Sequence, residues 1–249
     1  MGIDRGVPIT CIAGGHIEGT VLSAKNGYGG FPEIKELGDI LGQFRGLKIG
    51  VPGKGSIHDV ILMEYIAKYG LAREIGVLNF RWADEITEAI VRDEVAAAVG
   101  TPALAVAVAR FAGGRVLYPP SKLWPYNPSY GILADRDFLR RRRELAKLFL
   151  VLHEEATSSL RDDPAGAAEV ISDYVGFIDR KFVLDTLMLS PKYCAQLTDD
   201  YVAASMEFVK VLKGLGYISR EIPKDEIFDL SLIRKIHPEK DHYEIKEHG

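Results

Sequence analysis

Cysteine is scarce: the 249-residue chain carries 2, Cys11 and Cys194. They lie far apart, in no CxxC motif and beside no Cys/His cluster. One bridge is compatible with that count but not implied by it, and a zinc site of the usual ligand spacing is excluded. Long apolar runs are missing too. Stretches such as Leu145 to Leu152, interrupted by Lys147, fall well short of the ~20 residues that cross a bilayer. The amino terminus, Met1 to Pro8, has no apolar signal core, and Gly6 stands where a myristoylation motif needs Ser or Thr. Nor is there a surplus of positive charge: 31 basic residues face 35 acidic ones, a net −4. A protein that grips phosphate backbones carries the opposite sign, so nucleic acid is not an expected partner.

What is present is ordinary globular composition, with 47% hydrophobic and 27% charged residues, 25 Gly and 12 Pro. Collagen-like, coiled-coil and wholly disordered chains are thereby excluded. At about 150 residues per folding unit, the length allows one or two units, each able to bury a full core without staples.

From Leu47 to Tyr118 the apolar period switches repeatedly between strand and helix. Strands are predicted at Leu47–Val51, Ile75–Phe80, Val95–Val99 and Arg115–Tyr118. Helices are predicted after Ser56 as far as Gly70, over Asp84–Arg92 and over Ala103–Phe111. Strand–helix alternation with short connections favours an α/β unit with a parallel sheet, whose ligands bind at the carboxyl ends of its strands. Those ends are Pro52–Ser56, Gly100–Pro102 and Pro119–Asn127. Ile9–Ala13 and Thr20–Ala24 read as two strands split at Gly14-Gly15-His16, and Tyr130–Ala134 as another. Beyond Asp137 the pattern is helical: Phe138–Leu160, Pro164–Tyr174, Asp179–Leu187 and Thr198–Leu215. Lys235 to Gly249 reads as a mobile polar tail. No internal repeat is visible.

Four segments are candidates for chemistry. In Gly53-Lys54-Gly55-Ser56, glycines let backbone approach a ligand, and the helix start offers free N–H donors and positive partial charge for an anion. Ser56 and His58 can add hydrogen bonds. It is not a P-loop, because Ser56 stands where Lys is required; a plain turn with a Ser cap explains it equally well. Trp124-Pro125-Tyr126-Asn127-Pro128 suits either an apolar ligand wall or a rigid linker packed with aromatics. In Gly14-Gly15-His16-Ile17-Glu18, a tight turn with exposed His16 and Glu18 is the better local reading, although the two side chains could form an acid–base pair. Gly100-Thr101-Pro102 offers a further helix start. Arg140 to Arg143 reads as a basic turn on a solvated face. No Gly-x-Ser-x-Gly, His-Glu-x-x-His or Cys/His pairing appears, and no catalytic centre, cofactor site or metal site is expected.

The order of segments carries a resemblance. DRGVPI from Asp4, GTVL from Gly19, LGDILGQFRGLKIGV from Leu37, PGKGSIHDVILMEYIAKYGL, EVAAAVGTP from Glu94, LWPYNPSYGIL from Leu123 and the helical segments DDPAGAAEVISDYVG and LSPKYCAQLTDDYVAASMEFVKVLKGLGYI occur in sequence. The set resembles the nitrate/sulfonate/taurine and thiamine-precursor (NMT1-like) group of ABC-transporter substrate-binding proteins, from about Asp4 to about Ser231. That resemblance implies a two-lobed type II periplasmic-binding-protein fold, with ligand trapped in a cleft by hinge closure. Residues 1–30 and 128–249 would form one lobe and residues 31–127 the other α/β lobe. Gly55, Ser56 and His58 match the loop that grips the polar end of a ligand, with Gly53 beside them. Thr101 and Trp124 to Asn127 match cleft-lining segments, and Thr20–Ala24 and Tyr130–Ala134 the interlobe crossings. His16 and Glu18 join the candidate contacts.

The resemblance further implies a small anionic or zwitterionic solute, a membrane ABC permease as partner, no turnover and an extracytoplasmic location. The alternative is a cytosolic enzyme on the same fold, of the kind that makes a thiamine pyrimidine or a menaquinone precursor; a chain truly starting at Met1 without a leader would fit that location. Relatives begin with a leader and a stretch that builds the first strands of lobe one, and this chain starts after it. The first lobe is therefore expected to be incomplete and prone to self-association through open edges and exposed apolar surface.

Overall fold

The computed structural model describes residues 1–243. After a single 3-10 turn at Ile3–Arg5, the chain forms β1 (Ile9–Ile17), β2 (Val21–Lys25), α1 (Leu37–Gly42), β3 (Lys48–Pro52), α2 (Ile57–Lys68), β4 (Gly76–Phe80), α3 (Ala83–Val91), β5 (Ala97–Gly100), α4 (Pro102–Ala112) and β6 (Gly114–Tyr118). There follow α5 (Pro120–Leu123), β7 (Pro128–Asp135), α6 (Arg136–Arg141), α7 (Arg143–Asp162), α8 (Pro164–Val175), α9 (Arg180–Leu189), β8 (Tyr193–Cys194), α10 (Asp199–Gly214), α11 (Lys224–Ile227) and α12 (Ile233–Ile236). Two compact units result: Gly19–Pro125, and Met1–Glu18 together with the chain from Tyr126 onward. Residues 19–30, expected in the first lobe, thus belong to the second unit.

In the Gly19–Pro125 unit the five strands run in the order β4-β3-β5-β2-β6. β3 pairs parallel with β4 and β5, as strand–helix alternation requires. The four strands expected between Leu47 and Tyr118 run parallel to one another, and β2 inserts between β5 and β6, antiparallel to both. Periodicity marked Thr20–Ala24 as a strand, but its place between β5 and β6 depends on pairing with distant segments and is not legible locally. Alternate residues of β5 serve opposite faces. Ala98 packs with Ile86, Ile90, Leu104 and Val108 of α3 and α4, whereas Val99 and Leu22 meet Leu37, Leu41, Ile61 and Leu62 of α1 and α2. Helices on both faces explain why β3 and β5 are almost wholly apolar.

In the other unit the sheet order is β7-β1-β8, with β1 antiparallel to both neighbours. Ile12, Ile17, Leu139, Leu150, Tyr201 and Ile233 fill its core. Gly14-Gly15 is not a turn, contrary to the sequence reading: β1 runs straight through it to Ile17, with register shifts against β7. The glycines mark close approaches instead. A Cβ on Gly14 would lie 2.6 Å from the Gln196 carbonyl oxygen, and one on Gly15 would lie 1.9 Å from the Tyr130 ring. The helix expected over Phe138–Leu160 divides at Arg142, whose φ of −135° ends α6. The division falls inside the run of four arginines, where Arg140 pairs with Asp137 and Arg143 donates to Ser231 Oγ.

The segment after Lys235 is also corrected. As far as Tyr243 it packs onto the unit, with His237 and Tyr243 buried; the rest of the expected mobile tail lies outside the described residues. Cys11 and Cys194 are both buried free thiols. Among the described residues no helix is long and apolar enough to cross a membrane.

Candidate functional site

One end of the Gly19–Pro125 sheet gathers most of the predicted residues. β3 and β5 are parallel neighbours, so the turn after Pro52 and the turn after Gly100 emerge side by side. β2 runs the other way and pairs Val21 with Gly100, which brings Thr20 to the same end. Leu22 pairs with Tyr118, so the carboxyl end of β6 lies there too. Two helices start at this end: α2 behind Ser56 and α4 behind Thr101.

Each start is capped by its own hydroxyl. Ser56 Oγ accepts the Asp59 N–H at 3.2 Å, and Thr101 Oγ1 accepts the Leu104 N–H at 3.3 Å. Both hydroxyls keep an O–H proton with which to donate. Gly53 and Gly55 have φ of 60° and 79°, the left-handed conformation that glycine adopts without strain. Gly53 has open space where a side chain would stand.

The expected free amide at Gly55 is corrected. Its N–H donates to Asp59 Oδ2 at 2.7 Å, and Asn79 Nδ2 donates to Asp59 Oδ1 at 3.0 Å. A buried carboxylate beneath the turn therefore takes the Gly55 amide that a bound anion was expected to use. Asp59 and Asn79 were missed as site residues; the near capping box of Ser56 and Asp59 was the available signal.

His58 is buried on the first turn of α2, with Nδ1 3.0 Å from Thr20 Oγ1. Burial drives its pKa down to about 4, so the imidazole is neutral at neutral pH. It offers a hydrogen bond and no charge.

The remaining predicted residues do not share this cluster. Trp124 is half-buried at the end of α5. Asn127 is fully buried in the other unit, where its carbonyl accepts the Glu18 N–H at 2.9 Å. His16 and Glu18 are both buried, not exposed on a turn. His16 donates Nε2–H to the Ser190 carbonyl at 2.6 Å and stacks on Tyr193 at 4.4 Å; burial lowers its pKa to about 4. Glu18, at φ 59°, accepts the Tyr126 N–H at 3.1 Å and pairs with Lys192 at 2.8 Å. Its carboxylate thus ties the segment leaving β1 to the segment entering β7, and the acid–base pairing of His16 with Glu18 gives way to these separate anchors.

Two features went unpredicted. A shallow cleft of about 650 Å³ is lined by Arg136, Arg140, Arg143 and Arg234 together with Asp225 and Asp229. Its cations are largely committed: Arg136 donates to the Glu226 carbonyl, Arg140 pairs with Asp137 and Arg143 donates to Ser231. The second is a meeting of Cys194, His237 and His242, which the absence of a Cys/His cluster along the sequence did not foreshadow. The pair His237 and His242, four residues between them, was the sequence signal; their distance from Cys194 along the chain concealed the third member.

With this geometry in place, the comparisons decide the family. Residues 1–173 match the family model described as NMT1-like. The chain belongs to the NMT1-like family. No curated protein matches this NMT1-like chain. Among solved structures, it is similar to a ligand-binding component of an ABC-type import system from Staphylococcus aureus, with zinc bound: TM-score 0.75, 14% identity, covering 96% of this chain and 77% of that one. The periplasmic aliphatic sulphonate binding protein SsuA of Escherichia coli gives TM-score 0.72 at 15% identity, covering 92% and 72%. The periplasmic nitrate-binding protein NrtA of Synechocystis PCC 6803 gives 0.73 at 12%, covering 93% and 68%. At such identities the likeness shows the fold, which is the α/β periplasmic-binding-protein fold expected from sequence.

Proposed function

We propose that this NMT1-like chain is the solute-capturing component of an ABC import system, working outside the cytoplasm with a membrane permease and performing no turnover. The observation that carries the reading is the gathering of Thr20, Gly53, Ser56, His58 and Thr101 at the carboxyl end of one α/β sheet. Ligands of open α/β sheets bind at that position. The donors there are three hydroxyls, a neutral imidazole and the start of α4; at the start of α2 the Asp59 carboxylate already holds the Gly55 amide, and Lys54 stands exposed in the same turn. Such a set suits a small oxyanion or zwitterion held by neutral donors: a sulfonate, nitrate, taurine or a pyrimidine-like solute.

The test is a thermal-shift screen over those classes, followed by calorimetry on any hit. Stabilisation by one class, lost in Ser56→Ala and in Thr101→Val, supports the reading. A ligand whose affinity is indifferent to both substitutions places the site elsewhere, and turnover of any hit would make the chain an enzyme.

Self-association is a second part of the proposal. Leu145, Leu148, Phe149 and Leu152 form an apolar stripe on α7, each more than half exposed, and β7 is an edge strand among the described residues. Open edges and uncovered apolar faces recruit partners. Sedimentation of a concentration series should show dimer or larger species that Leu148→Glu with Leu152→Glu abolishes; a monomer at all concentrations refutes it.

A further inference from the structure

The structure assigns a zinc site to Cys194, His237 and His242, separate from the solute reading and independent of it. Cys194 Sγ lies 3.5 Å from His237 Nε2 and 3.7 Å from His242 Nδ1, and the two nitrogens are 3.1 Å apart. Zinc bonds of ~2.3 Å to sulfur and ~2.05 Å to nitrogen imply edges of roughly 3.6 Å for S···N and 3.3 Å for N···N in a tetrahedron. The three donor atoms therefore already form one face of such a tetrahedron, with only tenths of an ångström to adjust.

The fold builds this face from distant parts of the chain. Cys194 is fully buried in β8, fixed by pairing with Gly15. His237 is buried at the end of α12 and donates its backbone N–H to the Ile233 carbonyl. The segment beyond is held on both sides of His242: Gln196 Nε2 donates to the Glu239 carbonyl, and Tyr243 is buried against Tyr126. His242 itself is exposed and gives the metal an entry path.

Surrounding groups complete the set. Glu239 Oε2 lies 3.2 Å from His237 Nδ1 without a formed hydrogen bond, so a small rotation would make it the outer carboxylate that orients a metal-bound histidine. Glu154 Oε1 lies 3.8 Å from His237 Nε2 and pairs with Arg161 at 2.9 Å, so the nearby cation is neutralised. One thiolate and two imidazoles are a borderline-soft set that selects zinc over calcium or magnesium. On binding, the thiol proton leaves to solvent as the Zn–S bond forms, and solvent takes the fourth position. The consequence is a clip that pins the segment around residues 237–243 to the edge of the sheet.

The test uses the full chain after chelator treatment, titrated with Co(II) as a spectroscopic stand-in and then with Zn(II). Expected are one equivalent of metal, visible bands of tetrahedral cobalt with sulfur-to-cobalt charge transfer, and displacement of cobalt by zinc. Cys194→Ser should remove the charge-transfer band, and Cys11→Ser should keep it. His242→Ala removes an exposed ligand without touching the core, and should weaken zinc on the order of 100-fold, at least the loss seen for an outer-shell partner. If Cys194→Ser fails to fold, His242→Ala decides. No stoichiometric binding, or zinc affinity unchanged in His242→Ala, overturns the assignment.

Discussion

Two buried histidines should make this protein acid-labile, and by an amount that can be worked out. His16 and His58 each have pKa values near 4 in the folded state because burial disfavours the imidazolium, against about 6.5 in an unfolded chain. Between pH 6.5 and 4 the unfolded chain therefore binds more protons than the folded one, and stability rises with pH. The contribution is present in full above pH 6.5, drains away as pH falls toward 4, and changes no further below that. The slope is about 1.4 kcal/mol per pH unit for each histidine, or on the order of 3 kcal/mol across the window. For a protein with ~5–15 kcal/mol in hand, one such term is substantial.

The perturbations follow from the contacts. His58 uses Nδ1, which Asn can imitate, and His16 uses Nε2, which Gln can imitate. Urea unfolding of wild type, His58→Asn and His16→Gln at pH 4.5, 5.5, 6.5 and 7.5 measures the slopes. Trp82 and Trp124 both lie in the Gly19–Pro125 unit, so tryptophan fluorescence follows the unit holding His58. Circular dichroism follows both units. Each variant should be less stable than wild type at pH 7.5 and should close that gap as pH falls, with His58→Asn visible in the fluorescence. Wild-type and variant stabilities that run parallel across the range would refute the reasoning.

Three further outcomes are expected. Affinity for any solute held at the Ser56–His58 turn should be constant within about twofold between pH 5 and 8, because His58 stays neutral there; calorimetry showing a step near pH 6.5 would contradict this. Glu18→Ala strands Lys192 and the Tyr126 N–H and should cost about 3 kcal/mol, the low end for a broken buried pair because Lys192 can still reach water; a loss below about 0.5 kcal/mol by urea unfolding would show the clamp to be idle. Gly14→Ala should cost more than Gly15→Ala, since the first meets a backbone carbonyl and the second an aromatic ring that can swing away. Overpacking costs of about 1–3 kcal/mol are the scale, and the reverse order would show that Tyr130 is the firmer obstacle.

The amino-acid sequence by itself determined the local elements and their order. The switch of apolar period between Leu47 and Tyr118, the Ser56 and Thr101 caps, and the glycines of the Gly53–Gly55 turn act over a few residues, and short-range chemistry is legible in a linear string. The family likeness rested on the same ordered segments. Tertiary structure decided everything that depends on residues meeting from afar. It placed β2 between β5 and β6 and so delivered Thr20 to His58. Gly14-Gly15, which has the composition of a turn, stayed extended because β1 pairs there with β7 and β8, and the Gln196 carbonyl and the Tyr130 ring leave no room for a Cβ. The Asp59 carboxylate came to occupy the Gly55 amide, and Cys194 met two histidines more than forty residues away. Burial, pairing and pKa are properties of surroundings, and the surroundings of a side chain exist only once the chain has folded back on itself.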